Sequence, residues 1–323
     1  MNRLVIVWRV TGRCNLSCPF CAHDRTQDFL RRHASAALIR QFSAMLAGLE
    51  RPVLMSWLGG EPLLWPPLTE LTESLRREHG FAISTTTNGT TLHRAETRRH
   101  LIDNYAELTL SIDAFAPVHD ELRGRSGLFE QVKQAARLLM MEKAAAGKGP
   151  LLRANVVLMR NTVADFPALC HELATWGIEE ITCNQLGGID RPEFYPDNRL
   201  LREQVTRLGE LWPALKKDLA AKGVRLLGGE AYLRRLRATA ENGPLVMEDC
   251  HPGEDFLFVT EDGFASPCSF TTGEYGVDLR QITNCQKLLE LPQRFRQMRQ
   301  RARATPCADC HSTQVCQKFT QAA

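Results

Sequence analysis

From residue 4 to about residue 181, short apolar runs rich in β-branched residues alternate with longer amphipathic ones. That alternation is the pattern of a parallel sheet crossed by helices. It predicts strands over 4–10, 53–58, 82–86, 107–112, 153–158 and 180–184, with helices over 35–49, 67–79, 95–104, 127–146 and 164–176. Six such β-α repeats either curl into a barrel or lie as an open sheet, and in both arrangements reactive groups belong on the loops at the carboxyl ends of strands. The polar motifs obey that rule. Cys14, Cys18 and Cys21 follow the first strand, Gly59-Gly60-Glu61-Pro62 the second and Asn88-Gly89 the third, while Ser111 and Asp113 end the fourth. After residue 185 the rhythm fades into a loop and a helix over 200–222. From about residue 245 cysteine, glycine and proline dominate, with short strands such as 256–259, which suits a small unit organised by metal. The expected division is therefore 1–225 for the α/β core and 226–323 for a linker helix and the metal-organised unit.

Composition narrows the function classes. No apolar run reaches the roughly 18 residues of a membrane helix, and the opening MNRLVIVWRV lacks a cleavage-site pattern, so it reads as the first strand of a cytoplasmic protein. A net charge of +3 gives no global field for nucleic acid. The five arginines in RFRQMRQRAR, residues 294–303, read as a solvated helix face.

Eleven cysteines in a chain without a secretion signal point to metal ligation rather than to a disulfide framework. They fall into an early group and a late one, which implies two sites. In the early group GRCNLSCPFC brings three thiols within eight residues on one loop. Three thiolates leave one iron of a cubane cluster open to a substrate or cofactor.

The spacing Cys14-x3-Cys18-x2-Cys21 resembles the signature of the radical S-adenosylmethionine superfamily. The resemblance implies a partial (β/α)6 TIM-type barrel, a 4Fe-4S cluster on those three cysteines, S-adenosylmethionine chelated at the open iron, and its reductive cleavage to a 5'-deoxyadenosyl radical. It also implies an external electron donor such as flavodoxin or ferredoxin. Phe20 resembles the aromatic residue that lies near the adenine. Gly59-Gly60-Glu61-Pro62 looks like the GGEP motif whose backbone and carboxylate hold the cofactor ammonium, although a Gly-Gly pair after a strand is also an ordinary turn. Ser111-Ile112-Asp113, with His119-Asp120 and Arg123, is similar to the SIDG…HD…R segment of peptide-modifying members, with Ala114 in place of the glycine. By that analogy Ser111 and Arg123 grip the cofactor carboxylate; the alternative reads the same polar residues as a strand end and a helix start. Asn155 and Gln185, ending later strands, are expected to reach the adenosine.

Cys250, Cys268, Cys307, Cys310 and Cys316 resemble the C-terminal auxiliary-cluster domains called SPASM and twitch. The chain has Thr320 where a full SPASM pattern continues with cysteine, so the expectation is one auxiliary cluster, of the 4Fe-4S type. The twitch-like pattern selects Cys250, Cys268, Cys307 and Cys310, with Cys316 surplus or replacing one of them. Zinc on the same cysteines is the alternative. Cys170, Cys183 and Cys285 read as core residues.

Together these segments look most like oxidoreductase maturases of ribosomally synthesised peptides (RiPP maturases). A peptide substrate would then need a separate leader-recognition protein or direct docking, since the cluster loop starts at Cys14. A twitch-type dehydrogenase of a small-molecule alcohol such as an aminocyclitol is the second reading. A non-catalytic iron–sulfur electron carrier is the third.

Overall fold

All six expected strands are present, each beginning within two residues of its predicted start. The computed structural model describes residues 3–21, 32–187 and 191–312. In chain order the core comprises β1 (Leu4–Thr11), α1 (Ala36–Ala47), β2 (Val53–Gly59), α2 (Leu68–His79), β3 (Ala82–Thr87), α3 (Ala95–Asn104), β4 (Glu107–Ser111), α4 (Val118–Arg123), α5 (Leu128–Ala146), β5 (Leu151–Leu158), α6 (Phe166–Ala174) and β6 (Glu180–Gln185). There follow the one-turn α7 (Tyr195–Asn198), α8 (Arg202–Ala220), a short β7 (Arg225–Leu226), α9 (Glu230–Ala240), β8 (Phe256–Val259), β9 (Phe264–Ser266), α10 (Thr272–Tyr275), β10 (Val277–Asp278), α11 (Cys285–Leu289) and α12 (Leu291–Arg301). The helix ends follow local chemistry: Ser35 caps α1 through the Leu38 amide, and Gly80 ends α2 in the left-handed conformation.

The strands form one sheet in the order β10-β9-β8-β1-β2-β3-β4-β5-β6-β7, parallel from β8 to β7. β9 runs antiparallel to both of its neighbours, β8 and β10. This mixed α/β sheet is a partial TIM-type barrel. β8 pairs with β1, and β7 crosses the expected division at residue 225, so the sheet runs continuously through both expected units.

Alternation sorts side chains between the two faces. Along β5, Leu152, Ala154, Val156 and Leu158 are buried, whereas Leu151, Arg153, Asn155 and Val157 are half-buried. The buried set faces the helices: in the same layer Trp8 meets Phe42 of α1 edge-on at 5.8 Å, and the Trp57 indole donates to Thr72 of α2 at 2.9 Å. The opposite, inner face carries an ion network at the amino ends of the strands. Arg153 joins Glu107 and Glu180, Arg3 joins Glu107, and Arg225 joins Glu180. Nearly all the polar chemistry therefore remains for the carboxyl ends. Among the described residues no helix is long and apolar enough to cross a membrane.

Candidate active site at the carboxyl rim

The cysteine loop leaves β1 through a turn in which the Arg13 amide donates to the Thr11 hydroxyl at 3.0 Å. The Cys21 amide then donates to the Cys18 carbonyl at 3.1 Å. Cys18 is buried, and burial pushes its thiol up to about 11, with Arg123 opposing and Cys21, Asp113 and Cys14 adding to the rise. The Asn88 amide nitrogen lies 3.7 Å from the Cys14 sulfur and 3.1 Å from the Asn15 oxygen, tying the end of β3 to the loop.

Gly59 and Gly60 are required by this loop. A Cβ at Gly59 would sit 2.5 Å from the Thr11 carbonyl oxygen, and one at Gly60 would sit 2.4 Å from the Arg13 oxygen and 2.9 Å from the Cys14 Cβ. Only hydrogen lets β2 end against the cysteine loop, where the Gly60 and Glu61 amides donate to Thr11 and Arg13 at 2.8 Å. Glu61, which is 1% exposed, turns its carboxylate away from the rim surface. It accepts from the Thr87 hydroxyl at 2.7 Å, the Asn88 amide at 2.8 Å and, across the turn made by Pro62, the Leu63 amide at 3.2 Å. Burial raises its carboxyl to about 7 despite these three donors. The carboxylate, expected from the motif to face a cofactor amine, here locks the β2 loop to the β3 loop.

The segment after β4 is likewise engaged with itself. Arg123 Nε donates to Asp113 Oδ2 at 2.7 Å, and Nη2 of the same residue lies 2.5 Å from that oxygen. The other Asp113 oxygen accepts from the Val157 amide at 3.0 Å, and the Asp113 amide donates to His119 Nδ1 at 3.2 Å. His119 is buried, and burial lowers its imidazole to about 4. Arg123 also stacks on Phe20, its carbon 5.3 Å from the ring centroid. The structure therefore brings Phe20, Arg123 and the cysteines together. Within this segment Asp113, His119 and Arg123 form a buried lock between β4, α4 and β5.

Register decides which rim residues face inward. Ser111 pairs with Asn155, Asn155 with Thr182, and Val157 with Asn184, so Ser111, Asn155, Thr182 and Asn184 share the inner face. Asn184 donates to Asn155 at 3.0 Å. Gln185 pairs with Leu158 and belongs to the helix-side face, where its amide nitrogen lies 3.1 Å from His311 Nδ1. Asn184, one residue earlier, occupies the inward place expected of Gln185. The signal was available in the two-residue alternation from Asn155, but only with the β5–β6 register in hand.

The late cysteines lie on the C-terminal segment. Cys250, Cys268 and Cys307 are near enough that the latter two raise Cys250 and Cys307 raises Cys268, after burial as the main cause. Cys310 follows on the same turn, its amide donating to the Leu245 carbonyl at 2.8 Å and its carbonyl accepting from the buried Arg235. Arg235 also pairs with Asp309, which contacts His311 at 3.1 Å, so a polar chain runs from the cysteine turn to Gln185. Cys316 lies outside the described residues. Among those residues, no three His, Cys, Asp or Glu side chains are gathered around the position of a single metal ion, at either cysteine group. Cys170 and Cys183 are core residues, and Cys285 packs against α1 with its sulfur 3.4 Å from the Met45 carbonyl.

The Radical SAM superfamily profile matches residues 8–143, a stretch that runs from β1 through the cysteine loop into α5. A domain of that superfamily, whose members are enzymes, implies a 4Fe-4S cluster and S-adenosylmethionine. Among curated proteins the chain is similar to Fe-coproporphyrin III synthase of Methanosarcina barkeri, 30% identical over 169 residues that cover 51% of this chain and 39% of that protein. It is similar also to GTP 3',8-cyclase of a Synechococcus species, 28% identical over 310 residues covering 87% and 84%. Two solved structures share the fold. One is anSMEcpe with bound AdoMet, TM-score 0.69, 17% identical, covering 98% of this chain and 85% of that one. The other is Streptococcus suis SuiB bound to precursor peptide SuiA, TM-score 0.63, 16% identical, covering 84% and 61%. The chain thus spans about two fifths of the first relative and three fifths of SuiB.

Proposed function

We propose that this chain is a radical S-adenosylmethionine enzyme that oxidatively modifies a ribosomally synthesised peptide, with Cys14, Cys18 and Cys21 holding the reactive 4Fe-4S cluster. The observation that carries the reading is the set of three thiols on one loop at the barrel rim, with no fourth cysteine in that loop. When bound, the cluster supplies the electron that splits S-adenosylmethionine into methionine and a 5'-deoxyadenosyl radical. The chain's own residues hold and screen that site. Gly59 and Gly60 admit the loop against β2, Asn88 donates toward Cys14, and Phe20 with Arg123 covers the loop beside Cys18 and Cys21. Ser111, Asn155 and Asn184 offer hydroxyl and amide groups to a ligand on the inner face. Cys250, Cys268, Cys307 and Cys310 are assigned to one auxiliary cluster, an electron acceptor suited to a net oxidation.

The peptide reading draws on the Ser111-Ile112-Asp113…His119-Asp120…Arg123 segment and on the fold shared with SuiB in its peptide complex. A small-molecule substrate is the second reading, favoured by the long alignment with GTP 3',8-cyclase. Anaerobic reconstitution tests the cluster assignments. About eight irons per chain should fall to about four when Cys14, Cys18 and Cys21 are replaced by alanine, and 5'-deoxyadenosine formation from S-adenosylmethionine should vanish. An unchanged iron count, or no 5'-deoxyadenosine from the fully loaded, reduced protein, would refute the proposal.

A further inference from the structure

We propose that the buried Asp113–Arg123 pair sets the reduction potential of the cluster at Cys14, Cys18 and Cys21, the guanidinium favouring the reduced form and the carboxylate opposing it. The proposal rests on the cluster assignment made above. It begins from the side chains' surroundings: the Asp113 side chain is 0% exposed and that of Arg123 10%. Burying an ion pair is costly, and such pairs are weak evidence for stability. Their charges, however, act through a medium that screens far less than water.

The pair is aimed at the cysteine loop. Arg123 lies over the ring of Phe20, the residue directly before Cys21. A Cβ on Gly124, the residue after Arg123, would lie 3.4 Å from the Ser17 hydroxyl, so the end of α4 that carries the guanidinium packs against the cysteine loop beside Cys18. The position of the guanidinium is held by Asp113 Oδ2, while Asp113 Oδ1 is anchored by the Val157 amide of β5. His119, the next titratable neighbour, is held neutral by burial and adds no charge of its own. An electron passing from a one-electron donor to the cluster adds one negative charge beside this fixed dipole. Arg123 stabilises that added charge, Asp113 destabilises it, and the two act with opposite sign. Of the two, Arg123 is the one that touches the cysteine loop, through Phe20, so the pair as a whole favours reduction.

The opposite signs make the idea testable against a merely structural role, which would move both variants the same way. The full chain is reconstituted anaerobically and titrated with dithionite without S-adenosylmethionine, following the electron paramagnetic resonance signal that the Cys14→Ala variant lacks. Arg123→Gln should shift the oxidised-to-reduced ratio at a fixed potential about tenfold toward oxidised, which is 59 mV more negative for a one-electron couple. Asp113→Asn, which keeps an acceptor for the Val157 amide, should shift it the other way by a smaller factor. Arg123→Lys should stay near wild type, and the double variant should fall between the two single ones. Shifts in the same direction, or ratios unchanged within twofold in both single variants, would overturn the proposal. Should Asp113→Asn load poorly, the contrast between Arg123→Gln and Arg123→Lys decides alone. A wild-type chain without the Cys14-dependent signal would instead overturn the cluster assignment itself.

Discussion

At the scale of single residues, Glu61 shows how a motif position serves the site from within. Its carboxylate joins the β2 and β3 loops by three accepted hydrogen bonds, yet burial outweighs them and raises the group from an ordinary 4.5 to about 7. A carboxyl raised by folding is protonated in the folded chain over a range where the unfolded chain has already released its proton. Its contribution to stability is therefore complete below about pH 4.5 and is lost as pH rises through 7. The loss is about 3 kcal/mol, at 1.36 kcal/mol per unit. Glu61→Gln cannot titrate, so its urea-unfolding free energy should vary less between pH 4.5 and 7.5 than that of wild type by about this amount. Equal pH dependence of the two proteins would show that folding does not raise this carboxyl.

At the scale of elements, the join between α4 and α5 rests on Asp120. One of its oxygens accepts from the Gly127 amide at 2.6 Å and the other from the Phe129 amide at 2.8 Å, supplying the capping that Gly127, which has no side chain, cannot. Asp120→Ala should destabilise the chain by about 1 to 2 kcal/mol in urea unfolding, with Asp120→Asn recovering much of the loss. Elements of this kind were largely legible from the residue pattern. β-branched runs bounded by Gly, Pro and Asn placed the six strands, and the cysteine triplet announced its own rim position. What the pattern left hidden was the partner of each polar side chain. Whether Asn184 or Gln185 faces inward depends on the pairing of Leu158 with Gln185, which no local spacing encodes. Arg123 meets Asp113 because α4 folds back onto the end of β4, and Glu61 meets Thr87 because the turn at Pro62 directs it inward. Motif likeness identified these residues but not their contacts.

At the scale of the whole molecule, the C-terminal segment completes the sheet that carries the cysteine loop. β8 hydrogen-bonds along β1 from Val5 to Trp8, and Leu257 and Val259 are buried in the same core as Trp8. Arg9 pairs with Glu261 at 2.5 Å and Arg51 with Asp255 at 2.7 Å, so both ends of this strand pair are tied by charge. Loss of the segment would leave β1, which leads directly to Cys14, as an open edge with apolar neighbours, a template for pairing with other chains. A chain ending at residue 243 keeps β1 to β7 and α9 but lacks β8. It should self-associate on size-exclusion chromatography and lose the cooperative unfolding of the full chain, and it should take up less iron even though Cys14, Cys18 and Cys21 are intact. The late cysteines alone would explain only the loss of their own iron. A monomeric, cooperatively folding 1–243 chain holding four irons would show instead that the sheet beside the cysteine loop is self-sufficient and that the expected two-unit division is real.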